Sequence, residues 1–202
     1  LHCNRIIFPE VVPDDFEPRA LKDIPRVPRE PVGDGPVFEN TMAGEEVDIT
    51  AFPVPVHHER DGGRYIGTAD IVITRDPDEG WVNFGTYRTQ VRDEQTALSY
   101  ISPGKDGRLQ RDKYLDAGEP CPAIIVCGQD PAVWLASTLS VPSGVSEYEY
   151  AGGLKGRPIE VVEGDVTGLP MPADAEIALE GYIVEETDWE GPFGEWPGYY
   201  AG

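Results

Sequence analysis

The chain has 202 residues, of which 37 are acidic and 16 basic, giving a formal charge of -21 at pH 7. That much negative charge repels phosphate backbones and anionic lipid surfaces alike, so neither nucleic acid nor a membrane is an expected partner. A 40% share of hydrophobic residues, with 4 Trp and 9 Tyr, is enough to bury a core, while 23 Gly and 20 Pro favour short strands and turns over long helices. The expected class is therefore α+β and β-rich, with short peripheral helices.

Between Phe8 and Phe38, prolines and charges alternate with few periodic apolar positions, so residues 1–43 are read as an extended arm leading into a core over 44–202. Residues 45–52 read as a short strand stopped by Pro53 and Pro55, and Asp61-Gly62-Gly63 as a turn. Residues 65–74 and 81–91 are rich in β-branched and aromatic side chains, and the intervening Asp76, Pro77, Asp78 and Gly80 are turn chemistry, so the pair predicts an antiparallel hairpin. A third strand is expected at 97–101. Residues 106–117 fit a helix with Leu109, Tyr114 and Leu115 turned inward and Gly118 ending it. Cys121–Cys127 reads as a buried strand, Asp130 as the cap of a helix with Pro131 at its first position, and 146–154 as a further short helix. Strands at 159–162, 166–169 and 177–184 complete the chain, with no internal repeat.

Cys3, Cys121 and Cys127 are odd in number and lack metal-ligand spacing, so neither a disulfide scaffold nor a zinc site is indicated. His2 and the adjacent His57 and His58 make no zinc pattern either and are read as surface residues. The apolar run at 123–127 is far shorter than the ~20 residues that cross a bilayer, and residues 1–7 lack the layout of a signal peptide, so the expected location is the cytoplasm. Because it opens on Leu1 rather than Met, the chain is expected to be a fragment of a longer gene product.

Three stretches can carry chemistry. In Glu190-Gly191-Pro192-Phe193-Gly194-Glu195 two carboxyls flank a tight turn between Trp189 and Trp196. Aromatic neighbours desolvate a carboxyl and raise its pKa, whereas an arginine partner keeps it ionised, so two acids here can take two roles; an ordinary acidic loop is the alternative. Along the strand from Trp81 to Arg88, alternation places Asn83, Gly85 and Tyr87 on one face and Phe84, Thr86 and Arg88 on the other. An arginine on an otherwise apolar strand needs an anion, either Glu190 or a substrate carboxylate, unless it is partly exposed. Residues 136–147 run through Ser137, Thr138, Ser140, Ser143 and Ser146 to Glu147, a series of oxygens able to meet a hard cation or a phosphate, with Ser146 equally suited to capping a helix.

Taken together in order, these stretches resemble the UbiD decarboxylase family from about Gly44 to Tyr200. The resemblance is carried by Asp61 to Ile66, by Arg75-Asp76-Pro77 with Gly80, Trp81, Asn83 and Arg88, and by the turn from Ser102 to Lys105. It continues through Gly118-Glu119-Pro120, Val145-Ser146-Glu147, the acidic turn from Glu190 to Glu195, and Gly198-Tyr199. It implies a split β-barrel-like domain that binds prenylated FMN through Mn2+ (or Mg2+), with K+ close by. By position Asn83 and Glu147 match two metal ligands of the family; the third is a histidine in the family and falls on Asp106 here. Thr86, Tyr87, Arg88, Lys105, Ser137, Thr138 and Leu139 would lie along the cofactor, with main-chain oxygens near Ser137 and Leu139 facing potassium. Arg88, Glu190 and Glu195 match the catalytic group. Arg88 would orient the substrate carboxylate and couple to Glu190, and Glu195 would shuttle the proton in a reversible decarboxylation of an aromatic or unsaturated acid. The implied partners are a flavin prenyltransferase that supplies the cofactor and further copies or subunits in an oligomer. Two other readings are a non-catalytic scaffold subunit of the same fold and an ordinary flavin oxidoreductase, for which no nicotinamide fingerprint is present.

Overall fold

The computed structural model describes residues 21–201; the earlier part of the expected arm, with His2 and Cys3, lies outside the described residues. The core is built on a four-stranded antiparallel sheet of β3 (Ile71–Arg75), β4 (Val82–Gly85), β7 (Cys121–Cys127) and β10 (Ile177–Ile183), in the order β10-β7-β3-β4. Ile73 lies opposite both Phe84 and Ile124, and Ile71 opposite Val126, so period-2 alternation lines up one apolar face. That face packs on Val133 and Ala136 of α2 (Pro131–Ser137) and on Tyr148 and Ala151 of α3 (Glu147–Lys155). On the other face Thr74 donates to Gln110 Oε1 at 2.6 Å, which ties α1 (Asp106–Asp116) to the sheet through two buried polar side chains.

The hairpin is present but interrupted. β3 pairs with β4, whereas β2 (Tyr65–Gly67) pairs with β5 (Thr89–Val91) in a separate sheet with β6 (Ala97–Ser99). Each predicted long strand thus breaks in the middle, and the second break, at Thr86–Arg88, is where the chemistry sits. β8 (Glu160–Glu163) and β9 (Pro170–Pro172) form a third sheet with the two-residue β1 (Glu30–Pro31), and β11 (Phe193–Gly194) pairs with β12 (Tyr200–Ala201). The described residues therefore form four open sheets with short helices, a mixed α+β fold.

Other expectations resolve as follows. Asp130 caps α2 by accepting from Ala132 N–H at 2.8 Å, with Pro131 at the first helical position. Ser146 precedes α3 as expected, yet its buried hydroxyl makes no capping bond. Residues 45–52 do not form a strand: Gly44–Glu46 and Ile49–Ala51 are 3₁₀ turns, the second held by Asp48 accepting from Thr50 N–H at 2.8 Å. The strand read at 166–169 lies instead at β9, because 165–167 turn back onto Glu180, whose carboxylate accepts from the N–H groups of Asp165, Val166 and Thr167. Helix α1 forms as predicted, but Leu109 faces solvent and the buried positions are Gly107 and Gln110, with Tyr114 and Leu115 half-buried. Residues 21–43 hold 3₁₀ turns and β1, and their backbone bonds to the core through Val27 N–H to Glu149 and Val37 N–H to Ala173. No helix among the described residues is long and apolar enough to cross a membrane.

Candidate active site

Arg88 sits where β4 has ended and β5 has not begun, so its side chain leaves the sheet and meets the loop before β11. Its Nε and Nη2 each donate to Glu190 at 2.8 Å, to Oε1 and Oε2, a side-on bidentate pair. Its Nη1 donates to Glu195 Oε1 at 2.5 Å. The ring of Phe193 lies 5.6 Å from the guanidinium carbon, and the two carboxylates, with the first hydrogen bond the largest cause, push the arginine's pKa up. A permanently charged arginine thus holds two acids unequally: Glu190 by two bonds at 11% side-chain exposure, Glu195 by one at 27%.

The acid loop is gripped from the other side by the turn at Asp61. Asp61 Oδ1 accepts from Gly194 N–H at 2.8 Å, Gly62 N–H donates to Pro192 O at 2.7 Å, and Gln90 Oε1 accepts from Gly191 N–H at 3.1 Å. Tyr65, fully buried, donates from its hydroxyl to Glu190 Oε1 at 2.8 Å. The arginine and its two acids border an open cleft of about 1040 Å³, lined also by Thr86, Tyr87 and the rings of Trp189 and Trp196, both of which are exposed. His57 and His58 are exposed as expected but also line this cleft, and the His58 ring packs edge-on to Phe193 at 5.4 Å.

At the far end of the same strand, a second cluster forms. With the Asn83 carboxamide turned to satisfy both its ends, its nitrogen donates to Glu147 Oε1 at 3.1 Å and its oxygen accepts from Gly107 N–H at 3.2 Å. Glu147 Oε2 accepts from Phe84 N–H at 3.0 Å, so the carboxyl caps the open edge of β4. Burial is the main reason its pKa is pushed up to about 8, and the charge of Asp106 at the start of α1 adds to it. Glu147 and the Asn83 carboxamide are buried in contact, and half-buried Asp106 lies near enough to act on Glu147 through its charge; two carboxyls and a carboxamide oxygen are the donor chemistry of a hard divalent cation. Among the described residues no three of His, Cys, Asp and Glu converge in a way that could hold a metal ion by themselves. Tyr87 lies beside Asn83, its pKa pushed up to about 12 by burial and by these acids, and a side chain at Gly85 would overlap its ring.

Of the residues expected along the cofactor, Thr86 and Ser137 are joined hydroxyl to hydroxyl at 2.5 Å; Ser137 in turn donates to Trp134 O, so Thr86 supplies the proton of the pair. Thr138 is exposed, Leu139 half-buried, and Lys105 exposed at the start of α1. The sequence did not single out Tyr65, Gln90 or Asp61 as site residues. Their signal lay in the register of β2 on β5, which the interrupted hairpin hid.

Comparison with known proteins gives this geometry its family. Residues 30–202 match the family model described as UbiD, 3-octaprenyl-4-hydroxybenzoate carboxy-lyase Rift-related domain. The chain is 41% identical to a pyrrole-2-carboxylic acid decarboxylase of Pseudomonas aeruginosa over 89% of its own length and 36% of that protein, and 33% identical to ferulic acid decarboxylase 1 of Candida dubliniensis over 84% and 34%. In structure it resembles the UbiD-class enzyme HmfF from Pelotomaculum thermopropionicum, solved with prFMN, at a TM-score of 0.82 and 36% identity over 88% of this chain and 42% of that one. It also resembles the closed form of the vanillic acid decarboxylase of Sedimentibacter hydroxybenzoicus at a TM-score of 0.83 and 33% identity, over 90% and 40%. The chain therefore spans between about a third and two-fifths of the length of these relatives, and it belongs to the UbiD family.

Proposed function

We propose that the protein to which this chain belongs is a prenylated-FMN-dependent carboxy-lyase that decarboxylates an aromatic or unsaturated carboxylic acid, reversibly, with residues 44–202 as a split-barrel-like cofactor core. The observation that carries this is the unequal hold of Arg88 on two acids inside an aromatic-walled cleft. Glu190 takes the side-on edge of the guanidinium with two bonds and leaves the Nη1 side to Glu195 alone. A substrate carboxylate entering the cleft competes for that Nη1 side, because it offers the same anionic oxygens as Glu195. Glu195, displaced from Arg88, is then free to carry the proton that replaces the lost carboxyl group, while Glu190 stays as the fixed counter-ion. The bound prenylated flavin would supply the electron sink that makes loss of CO2 feasible. In the reverse direction the same groups act in the opposite order.

Asn83, Asp106 and Glu147 would hold Mn2+ or Mg2+, and Thr86, Tyr87, Arg88, Lys105, Ser137, Thr138 and Leu139 would line the cofactor, with K+ near the main chain at Ser137 and Leu139. The aspartate in place of the family histidine gives this site one more negative charge and an all-oxygen donor set, with Asn83 offering its carboxamide oxygen, which suits a hard cation. A flavin prenyltransferase would supply the cofactor, and the working form would be a homo-oligomer or a multi-subunit complex.

The test is CO2 release from pyrrole-2-carboxylate and ferulate by the full-length protein coexpressed with a flavin prenyltransferase. Turnover of either acid is expected, as is a loss of at least ~100-fold in Glu195→Gln with the cofactor still bound. A Glu195→Gln enzyme that turns over like the parent would remove the proton-carrier role, and an inert parent with full cofactor would favour the scaffold reading.

A further inference from the structure

Tyr65 and Gln90 are cross-strand partners in the β2–β5 ladder, so their side chains leave the same face of that sheet side by side. Arg88 is two residues before Gln90, in the break just ahead of β5. Three side chains reach two successive residues of the acid loop: Arg88 holds both oxygens of Glu190, Tyr65 donates to Glu190 Oε1 at 2.8 Å, and Gln90 accepts from Gly191 N–H at 3.1 Å. Tyr65 is completely buried and Gln90 nearly so, so neither can exchange this contact for water without opening the sheet. The Tyr65 ring rests on Phe193 at 4.5 Å, and Phe193 in turn underlies the Arg88 guanidinium. Each end of the Arg88–Glu190 pair is thus backed by the same tyrosine, through its hydroxyl on the acid and through its ring on the arginine's platform.

We propose that Tyr65, seconded by Gln90, is a positioning residue for the reaction: its hydroxyl fixes the Glu190 carboxylate on the side-on edge of Arg88 and so keeps Nη1 turned to the cleft for the substrate. Without that hydroxyl, Glu190 loses one of the three bonds on its carboxylate and can rotate onto the Nη1 side, where it blocks the incoming acid. Burial, and after it the contact with Glu190, drives the Tyr65 hydroxyl's own pKa up, so the tyrosine remains a donor throughout. The role is one of orientation, since Tyr65 lies behind Glu190 and outside the lining of the cleft.

This inference rests on the decarboxylase reading, and the experiment separates the two. Tyr65→Phe keeps the ring and its contact with Phe193, so its melting temperature is expected to match the parent's. In the loaded full-length enzyme Tyr65→Phe should lower kcat/KM for an accepted aromatic acid roughly tenfold, with much of the loss in KM. The same change made on a Glu190→Gln background should cost less than about twofold, because the residue it positions is already altered. A crystal structure of the variant chain should show Glu190 off its two-bond seat on Arg88, a readout that needs no turnover. If Tyr65→Phe destabilises the fold, Gln90→Met, which frees Gly191 N–H, is expected to give the same pattern. An unchanged kcat/KM, an equal loss in both backgrounds, or a variant structure with both Arg88–Glu190 bonds intact would overturn the proposal. A parent enzyme inert toward every acid would overturn the decarboxylase reading instead and leave the crystallographic result to decide the role of Tyr65.

Discussion

Several side chains in this domain are buried in states that water would not favour, and each has a different reason. Arg88 and Glu190 compensate one another; Glu147 has a hydrogen bond on each carboxylate oxygen, from Phe84 N–H and from Asn83; Asp70 has neither remedy. One oxygen of Asp70 accepts from Thr89 Oγ1 at 2.7 Å and the other has no partner, and burial pushes its pKa up to about 6. Its charge in turn adds to the burial that lifts the Cys127 thiol to about 12. The folded state therefore binds the Asp70 proton more tightly than the unfolded chain does. Stability contributed by this proton is whole below the ordinary carboxyl pKa of 3.8 and is lost as pH rises through about 6. Asp70→Asn keeps an acceptor for Thr89 without the charge, so the variant should gain on the wild type by on the order of 2–3 kcal/mol between pH 4 and pH 7.5. Thermal melting of both proteins across that range checks it, and parallel curves would show that Asp70 does not titrate there.

At the scale of elements, the site depends on two interruptions. Had the hairpin continued in the register that sets Arg75 opposite Val82, Tyr65 would face Arg92; the breaks after β2 and β4 slip it by two residues and bring Gln90 opposite Tyr65 instead. The Asp61 turn then closes on the acid loop with no room to spare: a Cβ on Gly62 would overlap the carbonyl of Gly191, which is backbone and cannot yield, whereas one on Gly194 would meet the exposed His58 ring, which can swing away. Gly62→Ala should therefore displace Glu190 and lower activity at least ~10-fold, and Gly194→Ala should do much less unless His58 is held. Comparing their kcat/KM values checks this, and equal effects would speak against a backbone clamp. These elements also show what the sequence could reveal. Turn residues, capping at Asp130 and apolar alternation were enough for the hairpin, the three helices and the core strands. Motif order was enough to group Arg88 with Glu190 and Glu195, and Asn83 with Glu147. Pro170 and Pro172 hid β9, since proline is tolerated only where a strand lies at a sheet edge, and edge position is a tertiary fact. The slipped register hid Tyr65 and Gln90 for the same reason: no local pattern records which residue a strand faces after a break.

Seen whole, the domain places two clusters at opposite ends of one short stretch, residues 83–88: oxygen ligands around Asn83 and Glu147, and the arginine–glutamate group around Arg88. Trp189 and Trp196 stand exposed at the rim of the cleft. The central claim is that these two clusters together form one prenylated-flavin site despite the aspartate at 106. It is tested most directly by the absorption spectrum and metal content of the full-length protein purified after coexpression with a flavin prenyltransferase. The account predicts bound prenylated flavin with about one divalent metal ion per chain, both lost together in Asn83→Ala. A colourless, metal-free protein, or an Asn83→Ala variant that keeps both, would contradict it.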